Sequence, residues 1–217
     1  MLSVGTLVAT AVADCDGTMT LSAAPCALIV IDVQDGFSDT RFWGPSSNPQ
    51  AESNIESLVS CWRAQDRGPV VLVRHDSVHA DSPLFTGSEG NRLQSFLDEG
   101  TAELFVTKSV NSAFYGDPDL HAWLQERKIA ELVLCGIQTN MCVETTARMA
   151  GNLGYLVTVA LDATRTFDLT TTLPDGERIT RTASELMLTT ALNLAAGGFA
   201  TIATSAELVR PRSDGTG

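Results

Sequence analysis

The sequence predicts an α/β fold, a three-layer αβα arrangement around an open, mostly parallel six-stranded sheet. Two observations predict it: a series of short apolar runs rich in β-branched residues, and stretches of helical spacing between most of them. Right-handed crossovers turn such a strand-helix-strand series into a parallel sheet with helices on both faces. The first run is Ala27 to Ile31, within CALIVIDVQ, and it is continuous, as expected of a strand buried on both faces. The others are Val70 to Val73, Leu104 to Val106, Leu132 to Leu134, Leu156 to Val159 and, with a weaker pattern, Phe199 to Ile202. Helical spacing is clear in Ile55-Leu58-Val59-Trp62 and in Leu120-Trp123-Leu124.

Residues 1–24 read as an N-terminal arm or hairpin, with Asp16-Gly17 as a turn between two Thr/Val-rich segments. Residues 25–217 read as a single domain, and a chain of 217 residues suits one full core. Two long irregular stretches, Phe37 to Pro49 and His75 to Asn91, are of a length that usually shapes a site or meets a neighbour.

Hydrophobic residues make up 44% of the chain and charged ones 18%, the composition of an ordinary globule. The net charge of -12, from 26 acidic and 14 basic residues, disfavours a phosphate backbone or an anionic lipid surface as partner. Neither nucleic acid nor membrane is therefore expected. Five cysteines without a C-x-x-C pair argue against a zinc knuckle or a disulfide framework. The start of the chain lacks the positive segment of a signal peptide, so the expected compartment is the cytoplasm. The expected assembly is a homo-oligomer, a dimer or a tetramer.

Ligands of an open α/β sheet gather outside the carboxyl ends of its strands. That rule selects Asp32 after the first run, His75 and Asp76 after the second, Lys108 after the third, the segment GIQTNMCV after the fourth and Asp162 after the fifth. Lys108 stands out because Lys128 is the only other lysine in a chain that otherwise uses arginine. Cys142 falls where GIQTN should turn into the helix MCVETTARMA, with Thr139 or Asn140 as its N-cap. A cysteine in a first helical turn feels the positive end of the macrodipole, and a nearby Lys⁺ would lower its thiol pKa further. The plainer alternative is a small buried hydrophobe, the reading that fits Cys26, Cys61 and Cys135. Asp32 ends an apolar strand, so its carboxylate must be solvated, capped or paired.

The segments ALIVIDVQDGF, VVLVRHDS, VTKSVNSAF, LVLCGIQTNMCVETTARMAGNLGY and LDAT together resemble the isochorismatase-like cysteine hydrolases, from near Ala27 to about Leu208. The resemblance implies a catalytic triad of Asp32 as acid/base, Lys108 as the cation and Cys142 as nucleophile. It also implies a cis peptide before Gln138, and an oxyanion hole made by the backbone N–H groups of Gln138 and Cys142. The implied reaction is hydrolysis of a C–N bond in a small amide, ureido or lactam substrate through a thioester, and lactam opening in an antibiotic such as streptothricin is one specific case. Substrate contacts are expected from Phe37, Trp43, His75, Phe114 and Phe167, although each aromatic also suits plain core or an oligomer contact, and His75 equally suits a structural hydrogen bond.

No cofactor is expected. His75, Asp76 and His79 in RHDSVHADSPL do not match the ligand spacing of the metal-dependent nicotinamidases of this superfamily. DVQDGF after the first strand carries no G-x-G-x-x-G for a dinucleotide. Two other functions fit the same fold: vinyl-ether cleavage of the isochorismatase type, and a catalytically silent member that binds a small ligand. Intact Asp32, Lys108 and Cys142 favour the hydrolase.

Overall fold

The structure, a computed structural model, describes residues 25–210; the arm or hairpin expected over 1–24 lies outside the described residues. Its strands are β1 (Cys26–Ile31), β2 (Val70–His75), β3 (Leu104–Lys108), β4 (Glu131–Ile137), β5 (Leu156–Arg165), β6 (Leu169–Thr172), β7 (Arg178–Arg181) and β8 (Thr201–Ala203). Six of them form one sheet in the order β3-β2-β1-β4-β5-β8, and every neighbouring pair is parallel. The helices are α1 (Thr40–Trp43), α2 (Ala51–Ala64), α3 (Leu120–Glu126), α4 (Glu144–Asn152), α5 (Ala183–Ala196) and α6 (Ser205–Leu208). No helix among the described residues is long and apolar enough to cross a membrane.

The continuous apolar run of β1 has the expected cause. Ala27, Ile29 and Ile31 pack in one layer with Leu120 and Leu124 of α3, Ala147 and Ala150 of α4 and Leu194 of α5. Cys26, Leu28 and Val30 pack on the opposite face with Ile55, Leu58, Val59 and Trp62 of α2 and Leu208 of α6. Period-two alternation thus places both halves of one strand in core, and the sheet is covered on both sides.

The carboxyl ends of β1, β2, β3 and β4 meet on one edge. Register aligns Ile31 with Val73 and with Gly136, and His75 with Lys108. Gly136 has φ 122°, and a Cβ there would lie 2.0 Å from the Ile31 carbonyl oxygen. Only glycine admits this approach, which brings the end of β4 against the turn carrying Asp32. Asp32 itself adopts φ 52°.

Three features depart from the sequence reading. β5 runs on to Arg165, so Asp162 lies inside the strand; its carboxylate accepts from Ser205 N at 2.6 Å and Ser205 Oγ at 2.7 Å, fixing α6. The antiparallel pair β6-β7 is additional, although Pro174-Asp175-Gly176 between Thr-rich segments is a turn signal. Helix α5 is also additional, and Thr182 with Glu185 forms the capping box that announces it.

Candidate active site

Asp32, Lys108 and Cys142 come together on that edge. Lys108 Nζ donates to Asp32 Oδ2 at 2.5 Å and to Cys142 Sγ at 3.3 Å. The Asp32 and Lys108 side chains are fully buried, and Cys142 is 8% exposed. Each comes from a different strand end, across 76 and 34 residues of sequence, so the contact exists only once the sheet is assembled.

Cys142 lies on a single π-helical turn, Thr139–Val143, that leads into α4. The N-cap is Gln138, so neither Thr139 nor Asn140 caps the turn. Their side chains are committed elsewhere: Thr139 Oγ1 donates to Thr164 Oγ1 at 2.8 Å, and Asn140 Oδ1 accepts from Thr166 Oγ1, which ties the turn to β5. Thr146 of α4 accepts from Ala113 N at 3.1 Å and holds the loop after β3 against the same helix. The Ile137–Gln138 peptide is cis, as the resemblance implies. The Gln138 N–H makes no hydrogen bond among the described residues, while its carbonyl accepts from Met141 N and Val143 N.

The electrostatics reverse one expectation. Burial, and after it the Asp32 carboxylate, push the Cys142 thiol up, and Lys108 opposes them without prevailing. The resting sulfur is therefore a thiol beside an ion pair, because three buried groups cannot all be charged without cost. Burial works against the Lys108 charge as well, but Asp32 and Cys142 outweigh it and hold the ammonium above its ordinary range. Asp32 Oδ1 is buried with no hydrogen-bond partner among the described residues, an acceptor the pairing with Lys108 does not use. Cys135, by contrast, is pushed up by burial alone.

His75 is half-buried, and its Nδ1 lies 3.4 Å from Lys108 Nζ. It therefore faces the triad. Asp76 turns away to Arg74, at 2.7 and 3.1 Å, and to Asn91 at 3.0 Å, while His79 is exposed. The RHDSVH stretch thus disperses its side chains. The donors that do converge are Asp32, His75 and Cys142, whose ligand atoms lie within 4.8 Å of one another, and the Lys108 ammonium contacts all three. The cation that neutralises this set is supplied by the chain.

Phe37, Trp43 and Phe167 form one cluster with Leu84 and Ile137, their ring centroids 4.9 to 5.9 Å apart. Trp43 is its partly open member, anchored by Nε1 donating to the Gly36 carbonyl at 2.9 Å. Ile137 joins this cluster directly to Gln138. Phe114 is separate: it is turned into the core, stacked on Tyr155 at 5.8 Å. That is the position of a packing ring rather than a pocket wall. An open apolar concavity of about 480 Å³, lined by Asn48, Met187, Leu188 and Ile202 among others, includes none of the triad.

Two residues escaped the sequence reading. Gln34, fully buried, donates to the carbonyls of His75 and Asn91 and accepts from His75 N. Asn111 is exposed, and its Oδ1 accepts from Cys142 Sγ at 3.8 Å. A polar side chain three residues past the end of an apolar strand was the available signal for Gln34; Asn111 carries no local pattern.

A model of the isochorismatase domain matches residues 26–206. The isochorismatase family protein YrdC of Bacillus subtilis is 36% identical over 144 residues, covering 66% of this chain and 75% of its own length. Streptothricin hydrolase of Streptomyces noursei is 32% identical over 147 residues, covering 66% of this chain and 50% of its own length. Among solved structures, an isochorismatase-family protein of Chromobacterium violaceum superposes with a TM-score of 0.75 at 36% identity, over 87% of this chain and 93% of that one.

Proposed function

The chain belongs to the isochorismatase family of hydrolases, and from that premise we propose that it is a cysteine amidohydrolase that cleaves a C–N bond of a small amide, ureido or lactam substrate. The observation that carries this reading is the Lys108 ammonium between the Asp32 carboxylate and the Cys142 sulfur, at 2.5 and 3.3 Å. An acid, a base and a nucleophile within one hydrogen-bond network are what acyl transfer requires.

In the proposed cycle the Asp32 carboxylate takes the thiol proton as Cys142 Sγ attacks the carbonyl carbon. The free acceptor Oδ1 of Asp32 and the raised thiol pKa support proton transfer during attack rather than before it. The carbonyl oxygen becomes an oxyanion facing the backbone N–H groups of Gln138 and Cys142, each worth about 3 kcal/mol in such sites. Collapse expels the amine, protonated by Asp32, and leaves a thioester. Water, deprotonated by Asp32, attacks the thioester and releases the acid and the thiol. Lys108 stabilises whichever of its partners is anionic at each stage. The aromatic cluster of Phe37, Trp43 and Phe167 adjoins Gln138 through Ile137 and supports a role in holding an apolar part of the substrate.

The test is a panel of amides, ureides, lactams and isochorismate, run on the wild type and on Cys142→Ala. The streptothricin hydrolase relative makes a streptothricin lactam one arm of that panel. Turnover of a C–N substrate that vanishes in Cys142→Ala, with an acyl adduct on Cys142 trapped by acid quench and mass spectrometry, is the expected result. Activity confined to isochorismate and surviving Cys142→Ala would replace this reading with vinyl-ether cleavage. No turnover by the wild type on any arm, with small-molecule binding retained, would favour the silent member.

A further inference from the structure

An ammonium has three protons to donate and no lone pair, so in a dry position it needs three acceptors. Lys108 has them: Asp32 Oδ2 at 2.5 Å, Cys142 Sγ at 3.3 Å and His75 Nδ1 at 3.4 Å. Because Lys108 can only donate, Nδ1 must be the unprotonated ring nitrogen, and the imidazole proton belongs on Nε2. The backbone of His75 is clamped in turn: its N–H donates to Gln34 Oε1 at 2.8 Å, and its carbonyl accepts from Gln34 Nε2 and Asn91 Nδ2, each at 3.0 Å. Gln34 lies two residues beyond Asp32, so one short turn fixes both the carboxylate and the histidine that share the ammonium.

We propose that His75 is a positioning residue, a fixed third acceptor that holds the Lys108 ammonium between Asp32 and Cys142. The inference rests on the cysteine-hydrolase reading for its consequence in catalysis, but its geometry stands apart from the identity of the substrate. The groups facing the ring are Lys108 from β3, Asp32 beyond β1, Cys142 from the π-turn and, next in sequence, Asp76 with its partner Arg74. Burial and the Lys108 charge lower the basicity of the ring, and Asp32 and Asp76 oppose them without prevailing. The neutral ring is thus favoured at neutral pH. Protonation of Nδ1 would replace an acceptor by a donor aimed at an ammonium, and Lys108 would be displaced.

The chain has three histidines, so side-chain nitrogen-15 NMR of the wild type, with His75→Asn for assignment, reads the ring directly. The expected signal is an Nε2–H tautomer with bare Nδ1, titrating below a free histidine. An Nδ1–H tautomer, or a midpoint at or above that of a free histidine, overturns the proposal whatever the enzyme hydrolyses. In activity, His75→Asn places an amide oxygen near the site of Nδ1; it should keep kcat within about threefold and lose the acid limb that His75 causes. His75→Leu has no acceptor and should lower kcat about tenfold or more with KM within about twofold. Equal kcat in the two variants would also overturn the proposal. An amide panel on which wild type is silent, or which Cys142→Ala still turns over, defeats the hydrolase reading and leaves the NMR result to decide this one.

Discussion

Lys108 Nζ lies 2.5 Å from Asp32 Oδ2, and neither side chain has any exposure to solvent. A pair this dry stabilises little in itself, because desolvation offsets most of the attraction; breaking it leaves one charge buried and uncompensated. Lys108→Met should therefore cost about 3–5 kcal/mol in urea unfolding and abolish turnover. The double variant Asp32→Leu/Lys108→Met should recover most of that stability while staying inactive. If the double variant unfolds as easily as the single one, the cost lies in lost packing and not in the orphaned carboxylate.

The position of Asp32 also sets the state of the nucleophile. Its carboxylate is the second cause, after burial, of the raised Cys142 thiol pKa. Removing that negative charge leaves the sulfur facing the Lys108 ammonium alone, so the thiol pKa must fall and the thiolate fraction at fixed pH must rise. Iodoacetamide, followed by mass spectrometry of the Cys142 peptide, should modify Asp32→Asn faster than wild type, by about tenfold for each unit of pKa released. Hydrolysis should fall in the same variant because the proton acceptor is gone. Slow alkylation of the wild-type thiol is thus expected of this site; slower alkylation of Asp32→Asn would contradict the assigned electrostatics.

How far the sequence reveals this site depends on the range of the interaction. Asp32, Lys108 and Cys142 were legible because strand-end positions converge by the geometry of a parallel sheet, and apolar runs mark strand ends well. The state of Cys142 was not: a first-turn cysteine beside a lysine suggests a lowered pKa, whereas the surrounding burial and the third charge, Asp32, exist only in the folded chain. Phe37, Trp43 and Phe167 share one cluster, but Phe114 in the same kind of segment points to Tyr155. Loop side chains have no periodicity to fix their direction. The extension of β5 to Arg165 likewise arises from pairing across a register shift between Leu134 and Gly136, which a polar stretch such as LDATR does not announce.

Gly136 should tolerate no side chain. A Cβ would meet the Ile31 carbonyl at 2.0 Å, a backbone atom held in the sheet, and φ 122° is itself strained for an L residue. Gly136→Ala should lower stability by about 3 kcal/mol or more and displace the end of β4 from the Asp32 turn. Thermal melting measures the first effect; loss of activity in the residual folded fraction measures the second. By contrast Gly154→Ala, at φ 92° with nothing within 4 Å of the added Cβ, should show the cost of conformation without collision.

Asn111 offers the sharpest separation of binding from chemistry. It is exposed, its amide oxygen is 3.8 Å from Cys142 Sγ, and no other hydrogen bond holds its side chain among the described residues. An amide so placed can meet the polar end of a substrate that approaches the sulfur, but it supplies no charge to the Asp32-Lys108 pair. Asn111→Ala should therefore raise KM about tenfold, with kcat changed by less than about threefold, the pattern of lost uniform binding. Stability should stay within about 0.5 kcal/mol, since an exposed side chain with a single weak contact is being removed. If kcat falls as far as kcat/KM while KM holds, Asn111 acts on the transition state instead, and its oxygen must be orienting the Cys142 thiol proton during attack.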